Sequence, residues 1–166
     1  MMAGGTLAGA GKSGGRTLIY LARHGQTPLN ESGVLRGLAD PPLDETGREV
    51  ATDQCLIDRD YGQWTGISRD AVVAQWGLVD RAPGVEPRSA VAGRAVKGLL
   101  DIARRYLGGS VTVVSHDAVN RQVLVAFDAG LGDPDTIPQD NGCFNTLLWK
   151  GSGWAVLGVN ELPEGP

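Results

Sequence analysis

Residues 18–27 read LIYLARHGQT, and the way this stretch ends decides the fold. The apolar run TLIYLAR, residues 17–23, has the length of a strand and the continuous hydrophobicity of one buried on both faces. It stops abruptly in Arg23, His24 and Gly25. A second apolar run, VTVVSH at 111–116, stops in His116, and the chain has only 2 histidines. Parallel strands of an open α/β sheet present their C-terminal ends along one edge, where ligands bind. Two such strands lying side by side bring both imidazoles to one cleft. Position alone also allows two unrelated histidines at loop starts. The neighbouring residues favour the shared cleft: Arg23 adjoins one imidazole, and a helix start follows the other. A guanidinium beside helix N–H groups is a means of holding a phosphate.

Outward from these strands the chain alternates. Ala92, Ala95, Val96, Leu99, Leu100, Ala103 and Leu107 recur at helical spacing over 89–107, and Gly108-Gly109 ends that helix. A shorter helix is predicted over SRDAVVAQWG with Ser68 as its cap, and another from Asp117 to about Phe127. NTLLWK and WAVLGVN read as a hairpin around Gly151-Ser152-Gly153. Residues 44–52 look like a further helix start, capped by Asp44 or Thr46. The stretches 25–47, LIDRDYGQWTG and APGVEPRS are rich in turn residues and read as loops. The alternation predicts an α/β fold, a three-layer sandwich around a mostly parallel central sheet. Residues 1–16 read as a flexible Gly-rich tail and 17–166 as one domain.

Composition bounds the partners. With 42% hydrophobic and 20% charged residues, the 166-residue chain can build a core without a metal or disulfide staple. The net charge of -4 argues against nucleic acid as a partner. Cys55 and Cys143 form no CxxC pair and read as thiols of a reducing compartment. No apolar run reaches membrane-spanning length, and the start lacks the apolar core of a signal peptide, so a cytoplasmic location is expected. An open edge strand leaves room for a homodimer. AGAGKSGG near the start fails as a phosphate-binding P-loop, because Thr6 stands where a glycine is needed and the motif precedes the first strand.

LARHGQT, VVSHDAVNR and LIDRDYGQWTG resemble the three motifs of the histidine phosphatase superfamily, the phosphoglycerate-mutase-like proteins, and LDETGREVA and NGCFNTLLW also match. The resemblance implies that His24 is a nucleophile forming a phosphohistidine, that Arg23 clamps the phosphoryl oxygens, and that His116 donates to the same oxygens. It implies a proton donor two residues before the DYG element, which is Asp58, with Asp60 the less well-spaced alternative. Asn30 matches a polar phosphate-pocket residue, and Arg36 and Gly37 match a loop that touches substrate. The N–H of Asp117 adds a donor. Relatives mostly carry glycine there, and the side chain itself reads as a helix cap. No cofactor and no metal are implied. The substrate would be a small phosphorylated metabolite. A mutase that returns the phosphoryl group needs shielding loops for which this chain lacks room.

One part of the pattern is missing. Relatives carry a helix, a strand and a second pocket arginine between the TGREVA and acidic motifs, and only a handful of residues separate Gly47 from Leu56 here. Neither Arg48 nor Arg59 replaces that arginine by motif. Either the chain is shortened, which suits a weak enzyme or a phosphate-binding module, or the numbering passes over an omitted segment. A break near 48–56 is expected in the second case.

Overall fold

The computed structural model describes residues 15–25, 33–35 and 53–162. Four strands form one sheet: β1 (Thr17–Arg23), β2 (Ser110–Ser115), β3 (Phe144–Trp149) and β4 (Trp154–Glu161), in the order β2-β1-β3-β4. β1 and β2 are parallel, in a register from Leu18↔Ser110 to Arg23↔Ser115. The His24 N–H donates to the Ser115 carbonyl at 3.1 Å, carrying the ladder one residue beyond β1. Both histidine-bearing strand ends therefore leave the sheet side by side.

Three α-helices are described: α1 (Arg69–Trp76), α2 (Arg88–Arg105) and α3 (Asp117–Phe127). Ser68 caps α1 by accepting from the Ala71 N–H at 3.3 Å. α2 buries the stripe Val91, Ala95, Leu99 and Ala103, and α3 buries Val119, Val123 and Leu124. Both stripes pack with Ile19, Leu21, Val113 and Leu147 in one core, so both helices cover the same face of the sheet. α2 also lies tight against the 54–56 turn: a Cβ at Gly98 would stand 2.8 Å from the Cys55 Cβ. α1 anchors a smaller cluster of Leu35, Tyr61, Val72, Val79 and Ala82.

The expected α/β architecture is present, with two differences. The sheet is mixed, since β3 runs antiparallel to both β1 and β4. The reason lies in the 128–143 connection. It carries the chain back to the C-terminal end of β1, where the Arg23 N–H donates to the Cys143 carbonyl at 2.8 Å, so β3 starts at that end and runs the other way. The second difference is burial. Only one face of the sheet is covered by described helices, giving two layers among the described residues. Val113 is 8% exposed while Val114, on the opposite face, is 61% exposed. An apolar run thus does not guarantee burial on both sides. The helix start at 44–52, residues 1–14 of the 1–16 tail and the first part of the 48–56 span, where a break is expected, lie outside the described residues.

Candidate active site

The parallel β1–β2 pair fixes two imidazoles on one edge. The rings of His24 and His116 lie 5.2 Å apart between centroids. His24 Nδ1 is 2.7 Å from the Gly25 carbonyl oxygen. A carbonyl only accepts, so Nδ1 is the donor and carries a proton. His116 occupies the N-cap position of α3 and makes no side-chain cap bond, which leaves the first-turn N–H groups of α3 without a side-chain acceptor from that residue. His116 Nδ1 stands 3.7 Å from Asp58 Oδ2, within ion-pair reach and beyond hydrogen-bond length. Both side chains are mostly buried, at 15% and 13% exposure.

Asp58 reaches this position through a clamped loop. The Ser115 hydroxyl donates to the Leu56 carbonyl at 3.0 Å, tying the loop to the end of β2. Arg94 of α2 donates to the carbonyls of Cys55, Ile57 and Asp58 at 3.0, 2.8 and 3.0 Å. The same guanidinium pairs with Glu86 at 2.8 Å, and that hydrogen bond holds the Glu86 carboxyl below the usual carboxylate range. Asp58 Oδ1 accepts from the Arg59 N–H at 2.8 Å. Asp60, the alternative acid, shapes its own turn instead, where its Oδ1 accepts from the Gly62 N–H at 2.7 Å. Burial, reinforced by the negative charge of Asp58, pushes the Tyr61 hydroxyl up to about 12.

Arg23 is held from behind. Its Nη1 donates to the Gln139 carbonyl, while its Nε is buried with no hydrogen-bond partner among the described residues. Gln139 in turn belongs to a buried amide network. Its Oε1 accepts from Asn120 at 3.2 Å and from Asn145 at 3.0 Å, and Asn145 donates to the Leu21 carbonyl at 3.0 Å. These amides join β1, α3 and β3 behind the two histidines.

Four residues singled out in the sequence, Arg23, His24, Asp58 and His116, thus meet at one sheet edge. Asp117 follows directly on α3. Asn30, Arg36 and Gly37 lie outside the described residues. The described arginines around the Asp58 loop are engaged elsewhere than opposite Arg23: Arg59 is bound to the Glu86 carbonyl and to Asp80, and Arg94 to its three carbonyls and Glu86. Sequence reading missed Arg94, Gln139 and Asn120. Asn120 had a signal, since a polar residue sits among the buried positions of α3. Gln139 had none, because its partners are up to 116 residues away in sequence.

At the start of α3 opens a cleft of about 310 Å³, lined among others by Tyr61, Arg69, Asp80, Arg88, Asp117 and Arg121. A wider groove of about 480 Å³ passes Asp58, Asp60, Glu86 and Arg94. Among the described residues, no group of three or more His, Cys, Asp or Glu is placed to hold a metal ion, and no helix is long and apolar enough to cross a membrane.

A strand-edge pair of histidines with an arginine and a carboxylate is the layout of one class of phosphoryl-handling proteins. The family model of the histidine phosphatase superfamily (branch 1) matches residues 19–53 and 48–162, and the chain belongs to that family. Among curated relatives, the Bifunctional protein Rv2228c of Mycobacterium tuberculosis is 27% identical over 172 residues, covering 74% of this chain and 47% of the relative. The chain therefore spans about half the length of the curated relatives it matches. Because 74% of 166 residues is about 123, some 49 of the 172 aligned positions have no counterpart here. Among solved structures, YhfR of Bacillus stearothermophilus superposes with a TM-score of 0.74 at 22% identity, covering 89% of this chain and 98% of that one. A phosphoglycerate mutase from Bacillus anthracis gives a TM-score of 0.74 at 16% identity, covering 90% and 95%. These two likenesses establish the fold.

Proposed function

We propose that the protein is a phosphomonoester hydrolase working through a phosphohistidine on His24, with Asp58 as proton donor. The observation that carries this reading is the convergence of His24, His116 and Asp58: ring centroids 5.2 Å apart and a carboxylate oxygen 3.7 Å from the second imidazole.

In the first step His24 Nε2 attacks phosphorus, and the bond to the leaving oxygen breaks. The Gly25 carbonyl keeps the imidazole in the tautomer that can attack and supports the positive charge that grows on it. In this reading Arg23 and His116 donate to the phosphoryl oxygens and neutralise the charge that grows there. The protonated Asp58 carboxyl gives its proton to the leaving oxygen. In the second step water attacks the phosphohistidine, its proton passes to Asp58, and inorganic phosphate departs. His24 is then restored and Asp58 is again protonated. The substrate is read as a small phosphorylated metabolite. Two solved structures of similar fold are named as phosphatases of small metabolites, a phosphoserine phosphatase and a glucosyl-3-phosphoglycerate phosphatase, which fits that class.

Incubation with p-nitrophenyl phosphate tests the reading. The expected result is nitrophenol release by the wild type and none above background by His24→Ala. Acid-labile, base-stable phosphate on the wild type alone would identify the phosphohistidine. The second reading, a phosphate-binding module without turnover, is favoured by one observation: Arg59 and Arg94, the arginines flanking the Asp58 loop, are both committed to other partners. Lacking one such charge-assisted donor costs about a hundredfold in rate. Binding of inorganic phosphate with no His24-dependent release would select that module.

A further inference from the structure

Asp117 stands at the first position of α3, next to His116. Its carboxylate lines the cleft next to the candidate site together with Tyr61, and its negative charge reaches Tyr61 there. Arg121, one helical turn on, bonds the Asp117 carboxylate through Nε. The guanidinium is fixed on its other side, where Nη1 donates to the carbonyls of Pro134 and Asp135 at 3.2 and 3.0 Å. Arg121 side-chain exposure is 21% and that of Asp117 is 40%, so the cation is the better anchored of the two. The other two acids lining the cleft are paired as well, Asp80 with Arg59 and Arg88, and Asp135 with the same Arg88.

We propose that Asp117 is a specificity-determining residue whose carboxylate, held by Arg121, sets the net charge the phosphate pocket offers to its substrate. The inference rests on the hydrolase reading for its site and on the ion pair for its direction. With the pair intact, the α3 terminus presents its N–H groups and little net side-chain charge. Without Arg121, Asp117 adds a full negative charge beside the phosphoryl group. Without the Asp117 charge, Arg121 adds a positive one. With the pair intact, a substrate carrying a second phosphate close to the first therefore meets no added cation at this end of α3.

Three variants test it: Asp117→Asn, Arg121→Met and the double variant. Each is titrated with inorganic phosphate by calorimetry, assayed with p-nitrophenyl phosphate, and melted. A charge role gives opposite signs. Asp117→Asn tightens phosphate binding and lowers KM about tenfold, and Arg121→Met weakens both by a similar factor, the order expected for one unit charge a few ångströms away in a partly screened site. The double variant returns to near the wild-type affinity. A merely structural pair gives a different pattern: both single variants lose melting temperature and affinity together, and the double variant is no better. That pattern overturns the inference, as does failure of all four proteins to bind phosphate. If phosphate binding follows the predicted order and none of the four proteins releases nitrophenol, the hydrolase reading fails and the charge role stands.

Discussion

His24 and Asp58 divide the proposed chemistry between a nucleophile and an acid, and the division can be tested by changing the leaving group. Nitrophenolate departs without help, whereas an alkoxide needs a proton. Asp58→Asn is therefore expected to slow hydrolysis of an alkyl phosphate by a factor of about 10² to 10⁴, the usual range for general acid catalysis, and to slow the first step with p-nitrophenyl phosphate far less. Rapid-mixing measurement of the first turnover with both substrates checks this. Equal losses on both would remove Asp58 from the proton-transfer role. At this scale the sequence pointed to Arg23, His24 and His116 by where their strands end, and the family resemblance pointed to Asp58 by its distance from the Tyr61-Gly62 element. The amides behind Arg23 were not legible, because Gln139, Asn120 and Asn145 are brought together by the packing of α3 and β3, which no local pattern encodes.

Among the elements, α2 does more than fill the core. Arg94 holds the backbone of the loop that carries Asp58, and Glu86 holds Arg94. The Glu86 carboxyl is depressed in the folded protein by the Arg94 hydrogen bond, so it stabilises the fold above the ordinary glutamate range. That contribution is lost as the pH falls below about 4.3, the ordinary glutamate value, and through the lower value of the folded state. Glu86→Gln should cost about 1 kcal/mol at neutral pH, and the gap to the wild type should close in acid. Melting curves of the two proteins from pH 7 to pH 3 measure the gap. A gap that stays constant across that range would contradict the linkage. The helices themselves were readable in advance, since the stripe of α2 and the Ser68 cap of α1 are local features. The direction of β3 was not, because it depends on where the 128–143 connection delivers the chain.

For the molecule as a whole, the one-sided burial of the sheet among the described residues is the main departure from what the apolar strands suggested. Adjacent residues of β2 give a direct test. Val113→Ala removes buried methyl groups and is expected to cost about 1–2.5 kcal/mol. Val114→Ala, at 61% exposure, is expected to stay within about 0.5 kcal/mol of the wild type. Urea denaturation of the two variants supplies both numbers, and equal costs would mean that the far face is covered. The family match in two stretches, meeting at 48–53, locates the departure from the family pattern just before the Asp58 loop.

The amide network also has a consequence for how the protein is made. Arg23 leaves the ribosome early, yet its anchor, the Gln139 carbonyl, follows 116 residues later, and the Asn145 that ties Gln139 to β1 later still. A nascent chain can form the β1–β2 pair and carry both histidines while Arg23 has nothing to hold it. Competence to grip an anion therefore arrives only with the last part of the chain, and a product truncated before Gln139 would carry both histidines and Asp58 without the carbonyl that anchors Arg23.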